Sequence, residues 1–255
     1  MEHVREVILQ KLEEIEQREG VTILHAVESG SRAWGVESPD SDYDVRFVYV
    51  RSVADYLQLQ ETRDVIEWEL DDVMDINGWD LKKALIQFHR GNATLFEWAN
   101  SPVVYKTTPQ WGQIRETAKG WFSAKAALHH YRGTARGTYS EFLQGDMVRY
   151  KKYIYALRPL LACKYIEEHH TIPPVRFDEL LKQELPEALR QEIDRMLEIK
   201  AQTDEKTLNP RLPVIHAYIV EELKRLEEKL KTMPDDRRDD WEPLNALFRN
   251  QLKEG

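Results

Sequence analysis

Asp42 and Asp44 stand two residues apart in SDYDVRFVYV, and a Gly-Ser step, Gly30-Ser31, precedes them. If residues 42–50 form a strand, both carboxylates project from one face, with Arg46 beside them. Two anionic side chains at that spacing repel each other unless a positive charge lies between them. Hard oxygen ligands that leave room for water and phosphate suit Mg²⁺ (or Mn²⁺), which rarely takes an all-protein cage. A Gly-Ser step between a buried strand and a helical turn presents backbone N–H groups to phosphate oxygens. Gly30 permits close approach there, and the Ser31 hydroxyl adds a donor. A third carboxylate follows later: Asp75 shares a strand face with Val73 and Asn77. Glu67, Glu69, Asp71, Asp72 and Asp80 compete for that role, and Asp80 has an alternative as a helix cap. Together these residues compose a two-metal site for phosphoryl transfer. One ion, on Asp42 and Asp44, would bind a triphosphate; a second, bridged to Asp75, would lower the pKa of an attacking hydroxyl. Such ions lie about 3.5–4 Å apart, and catalysis is mostly positioning and charge neutralisation.

Several elements must hold these residues. Val4, Ile8, Leu12 and Ile15 recur at steps of three or four, an amphipathic helix ended by Gly20. Residues 21–27 read as a buried strand leading into Glu28-Ser29-Gly30-Ser31, and a helical turn with Ala33 and Trp34 closes at Gly35. SPDSD, residues 38–42, is turn chemistry. Alternation then places Val45, Phe47 and Tyr49 on one face of the strand over 42–50, against Asp42, Asp44 and Arg46 on the other. Residues 63–70 and 73–77 are further strands. Asp80 caps a helix through Leu81, Leu85 and Phe88 that stops at Gly91, and a short helix over 93–99 breaks before Pro102. From about residue 108 the pattern is helical, with apolar stripes at Leu157, Leu160, Leu161, Ile166 and at Ile215, Tyr218, Ile219, Leu223, Leu226. The expected fold is α+β: a small mixed-sheet core over residues 1–110, then an all-helical region over 111–255 that completes a nucleotide and acceptor cleft.

The Gly-Ser step, the helical turn and the Asp-x-Asp strand resemble the polymerase-β-type nucleotidyltransferase superfamily. Residues 28–50, with Asp75-Ile76-Asn77-Gly78-Trp79-Asp80-Leu81 and Gly91-Asn92-Ala93-Thr94-Leu95-Phe96-Glu97, are similar to its predicted RNA-ligase-associated, YcgL-like branch. The resemblance spans roughly the first 110 residues and continues more faintly into residues 151–158. It implies a mixed sheet with helices on one side and metal-dependent transfer of a nucleotidyl group from an NTP. By position, Gly30 and Ser31 match the phosphate-binding pair, Asp42 and Asp44 the metal pair, and Asp75 the third acid. The branch commonly has Asn-Pro where this chain has Asn92-Ala93, a departure in loop geometry that leaves the acids untouched.

Other residues carry two readings each. Arg32 and Arg46 lie beside the acids, where Arg46 can contact phosphate or pair with a carboxylate. Asn92 and Glu97 take capping or loop-fixing roles. MVRYKKYIYALR, residues 147–158, interleaves Arg149, Lys151, Lys152 and Arg158 with three tyrosines. That mixture can bind triphosphate, stack a base or hold an RNA end, or it is an amphipathic helix with solvated cations. Lys152 and Arg158 are its best candidates because the resemblance reaches them. His129-His130 and His169-His170 are adjacent pairs that point apart on a helix and read as surface. DDRRDD, residues 235–240, reads as a solvated linker before a last amphipathic helix.

With 36 basic and 45 acidic residues among 255, net charge −9, no face-wide cationic coat for nucleic acid exists, although a local basic groove remains open. A single cysteine, Cys163, excludes an intramolecular disulfide and a cysteine-rich zinc site. A charged N-terminal segment and the lack of a long apolar run lead to the expectation of a cytoplasmic protein with no membrane contact. No Walker A, G-x-G-x-x-G or G-x-S-x-G motif occurs. The leading expectation is a nucleotidyltransferase acting on an NTP and an acceptor such as an RNA end or a small molecule. Its rivals are a non-catalytic NTP- or RNA-binding module and a metal-dependent phosphohydrolase.

Overall fold

The computed structural model describes residues 2–38, 41–71, 73–202, 204 and 206–252. The chain divides into two compact units, Met1–Phe122 with Arg237–Gly255, and Ser123–Asp236. The passage between units therefore falls at 122–123, beyond the position near 110 suggested by the change in hydrophobic period. The last helix returns to the first unit.

In the first unit, α1 (Glu2–Glu19) is followed by β1 (Thr22–Glu28), α2 (Gly30–Trp34) and β2 (Tyr43–Val50). Next come α3 (Val53–Tyr56), β3 (Val65–Asp71), β4 (Met74–Asp80), α4 (Leu81–His89), α5 (Ala93–Ala99), β5 (Val104–Thr107) and α6 (Pro109–Ala118). The five strands form one sheet in the order β3-β4-β2-β1-β5. It is mixed: β1 runs antiparallel to β2 and β5, β3 antiparallel to β4, and β2 parallel to β4. Ile8, Leu12 and Ile15 of α1 pack with Ile23, Ala26, Val45, Phe47, Tyr49, Ile66 and Ile76. Each such aliphatic side chain contributes about 1.5–3 kcal/mol relative to exposure. Gly78 is required by that packing, since a Cβ there would lie 2.1 Å from the Phe47 ring. The opposite face meets α4 and α6, where His25 stacks on Trp111 at 4.7 Å between ring centroids. Helices thus cover both faces, correcting the one-sided arrangement implied by the resemblance: the long N-terminal helix supplies the second layer. The strand β5 was not foreseen, because four residues after Pro102 show no readable alternation.

The second unit is helical, with α7 (Ala124–Phe142), α8 (Tyr150–His169), α9 (Phe177–Leu180), α10 (Glu187–Gln202) and α11 (Pro213–Thr232). A two-residue ladder joins β6 (Met147–Val148) to β7 (Asn209–Pro210). The stripes at Leu157, Leu160, Leu161, Ile166 and at Ile215, Ile219, Leu226 are fully buried. Residues 235–240 are exposed, yet they do more than link. Asp236 accepts from the Ala124 amide at 2.8 Å and the Ser123 hydroxyl at 2.5 Å, closing the N-terminus of α7. Beyond it α12 (Glu242–Gln251) packs on α4 and α6 of the first unit. Among the described residues no helix is long and apolar enough to cross a membrane.

Candidate functional site

The Gly-Ser step and the acidic strand meet at the end of the sheet shared by β1, β2 and β4. Gly30 has φ +60°, a left-handed conformation that glycine adopts freely, and it packs against an acid. A Cβ at Gly30 would stand 2.2 Å from Asp44 Oδ2, so only a glycine lets the turn approach that carboxylate. The ladder extends past β1, the Ser29 amide donating to the Asp44 carbonyl at 2.8 Å. Ser31 is buried within α2, and Gly35 ends that turn at φ +71°.

Register brings the second acid and the third together. In the parallel β2–β4 ladder Asp44 pairs with Asp75 and Arg46 with Asn77. Paired residues present their side chains on one face, so Asp44, Arg46, Asp75 and Asn77 form a block. Arg46 occupies its middle. Its Nη2 donates to Asp75 Oδ2 at 2.6 Å and to Asp44 Oδ1 at 3.2 Å. Its Nη1 donates to the carbonyls of Asp75 at 2.9 Å and Val45 at 3.0 Å. The guanidinium is the cation that two converging carboxylates require.

Asp42 lies one residue before β2 and is exposed. Its carbonyl accepts from Arg32 Nε at 3.1 Å, and the Ser41 carbonyl accepts from Arg32 Nη2 at 2.5 Å. The same guanidinium lies 3.8 Å from the centre of the Tyr43 ring. Arg32 therefore pins the turn that delivers Asp42 to the strand. Lys152 and Arg158 belong to α8 in the second unit. Arg158 is 2% exposed and donates from Nε to the Val175 carbonyl at 3.0 Å. Lys152 is partly exposed against the rings of Phe142 and Tyr155.

Among the described residues no three His, Cys, Asp or Glu side chains already form a metal-ligand group. The donor set nevertheless fits a hard divalent cation. Asp44 and Asp75 offer oxygens to one shared point of positive charge, and their side chains are 33% and 62% exposed, leaving room for water ligands. The competing acid Asp80 is a structural cap. It is buried, its Oδ1 accepts from the Lys82 amide at 2.7 Å and its Oδ2 from the Tyr56 hydroxyl at 2.8 Å. Burial raises its pKa above the ordinary carboxylate value. Asn92 caps α5 by accepting from the Leu95 amide at 3.2 Å.

One residue beside the acids escaped the sequence reading. Glu28, 1% exposed, accepts from the Asp44 amide at 2.7 Å and from the Tyr105 hydroxyl. Burial raises its pKa, opposed by those two donors. It fixes the backbone of Asp44 from the opposite face of the sheet. Its only sequence signal was a glutamate ending an apolar strand, and its partners lie 16 and 77 residues away.

The chain is 42% identical over 255 residues to an uncharacterized protein, YcgL, of Bacillus subtilis (strain 168), covering 98% of this chain and 97% of that one. A solved structure, a nucleotidyltransferase-like protein from Exiguobacterium sibiricum 255-15, matches at 13% identity and a TM-score of 0.27. That match covers 88% of this chain and 75% of the other. The profile of one family matches residues 4–250, nearly the whole chain. The chain belongs to that family, described as the RNA repair pathway DNA polymerase beta family.

Proposed function

We propose that this chain is a divalent-metal-dependent nucleotidyltransferase that moves a nucleoside monophosphate from an NTP to an acceptor, releasing pyrophosphate. The observation that supports this best is the convergence of Asp44 and Asp75 on Arg46 beside the glycine-serine turn. In this reading Asp42, Asp44 and Asp75 hold Mg²⁺ (or Mn²⁺), which when bound neutralises phosphate charge and acidifies the acceptor hydroxyl. Gly30 and Ser31 receive the phosphates through the amides of their turn, which the glycine allows to close on Asp44. Arg46, released from the carboxylates, has a guanidinium fork suited to a phosphate oxygen. Arg32 positions the 41–42 turn, and Arg158 secures the interior of α8. The acceptor oxygen forms a bond to the α-phosphorus as the bond from that phosphorus to the bridging oxygen breaks. The proton of the acceptor hydroxyl passes to solvent, and pyrophosphate departs with the bridging oxygen. The family description, naming RNA repair, favours an RNA end as acceptor over a small molecule.

The test is Asp44→Asn, assayed with labelled NTPs, Mg²⁺ and single-stranded RNA, with products separated by mass. Transfer is expected to fall by at least a thousandfold, about 4 kcal/mol in the barrier, with an unchanged melting temperature. Equal transfer by mutant and wild type would refute the assignment. Free monophosphate as the sole wild-type product would point to a phosphohydrolase.

A further inference from the structure

The first turn of α8 is charged against its own helix. It contains no acidic residue, whereas Lys151 and Lys152 follow Arg149 at the N-cap. A helix N-terminus carries partial positive charge, so stability alone would put acids there. The side chains are also clustered with aromatic rings. Lys152 Nζ lies 3.7 Å from the centre of the Phe142 ring and 5.5 Å from that of Tyr155, and Lys151 Nζ lies 5.8 Å from the same Tyr155 ring. Phe142 is 37% exposed, Met147, two residues before Arg149, is 52% exposed, and Arg149 is exposed. Burial and then the charges of Lys151 and Arg149 lower the pKa of Lys152, with Glu141 as the opposing acid. In a chain of net charge −9 this is a local excess of positive charge, mixed with rings that a compact helical unit would ordinarily bury.

We propose that Phe142, Arg149, Lys151, Lys152 and Tyr155 form a docking surface for single-stranded RNA. The cations neutralise successive phosphates, and the rings accept unpaired bases by stacking. A duplex keeps its bases stacked inside and offers nothing to the rings. An acidic peptide would answer the cations and leave the rings unused. The choice of RNA, and its role as acceptor strand, rest on the nucleotidyl-transfer reading; the docking chemistry does not depend on Asp44.

The experiment measures anisotropy of a fluorescein-labelled single-stranded RNA of about 12 nucleotides with the full chain across a KCl series. Lys151→Gln with Lys152→Gln should weaken binding about tenfold and lower the slope of log K against log salt by about 1.4, two phosphates at about 0.7 each. Phe142→Ala should weaken binding about fivefold or more with the slope unchanged, as expected for a lost stacking contact. Neutralising cations at a helix N-terminus should hold or raise the melting temperature, so misfolding is checked directly. The proposal is overturned by unchanged affinity and slope in the lysine variant. Equally effective competition by a poly-glutamate peptide, or equal affinity for duplex RNA, also overturns it. RNA binding that depends on this patch, in a wild-type protein without transfer activity, would sink the catalytic reading and leave the docking surface standing.

Discussion

Replacing Arg46 by methionine separates the two jobs that its guanidinium performs. The Arg46→Met side chain keeps an apolar stem of similar reach and removes four donated hydrogen bonds. The two bonds to main-chain carbonyls are worth about 1 kcal/mol each, partly recovered by water. The two ion pairs involve carboxylates that are 33% and 62% exposed, so solvent screening reduces them to about 0.5 kcal/mol each. In EDTA the variant should therefore lose about 2 kcal/mol of stability, some of it from repulsion between Asp44 and Asp75. Mg²⁺ should then reverse much of the loss. With free ion about tenfold above its dissociation constant, linkage supplies about 1.4 kcal/mol. The wild type should respond less, because the ion must first displace Arg46. Urea denaturation of both proteins, in EDTA and in a Mg²⁺ series, measures all four stabilities. An equal Mg²⁺ response in variant and wild type would mean that Asp44 and Asp75 do not share one cation site.

Gly30→Ala should cost about 1–2 kcal/mol from the left-handed backbone alone, and more from the contact with Asp44; in an Asp44→Ala background only the backbone cost should remain, a comparison made by thermal denaturation. His25 is buried, which lowers its pKa from 6.5 to about 4. The unfolded chain therefore binds a proton between those values that the folded chain refuses. Stability is fully retained above pH 6.5 and falls as pH drops toward 4, by about 3 kcal/mol at most. His25→Gln should flatten that slope in urea melts at stepped pH. Asp236→Ala should destabilise the second unit by about 0.5–2 kcal/mol through loss of its cap on α7, read as faster amide exchange at Ala124 and Lys125.

What the sequence disclosed was mostly local. Alternation from Val45 to Tyr49 placed Asp44 and Arg46 on one face because that strand has an apolar side and a charged side. Capping chemistry at Asp80 and Asn92 was readable for the same reason, since a cap and its amide partner lie within three residues. Arg46 was open between phosphate and carboxylate, and no local pattern distinguishes those partners; the β2–β4 register does. Strand period and family likeness together single out Asp75 among six acids. Neither the bond from Glu28 to Asp44 nor that from Asp236 to α7 was legible, because each joins segments brought together only by the finished fold. Lys152 and Arg158 shared one segment in the sequence, and helix phase separated them, Arg158 inward and Lys152 to the surface.

The pairing of Asp44 with Asp75 across parallel strands divides the intervening sequence into tolerant and intolerant stretches. Residues 51–64 form a bend and a short helix at the surface, so segments of many lengths can be accommodated there. Inside β4 parity governs instead. One residue added between Met74, the partner of Tyr43, and Asp75 would turn Asp75 and every later side chain over, sending that carboxylate into the layer packed on α1. Chains of this kind can therefore drift widely in the loop that joins their two acids while the strand bearing the second one changes only by substitution.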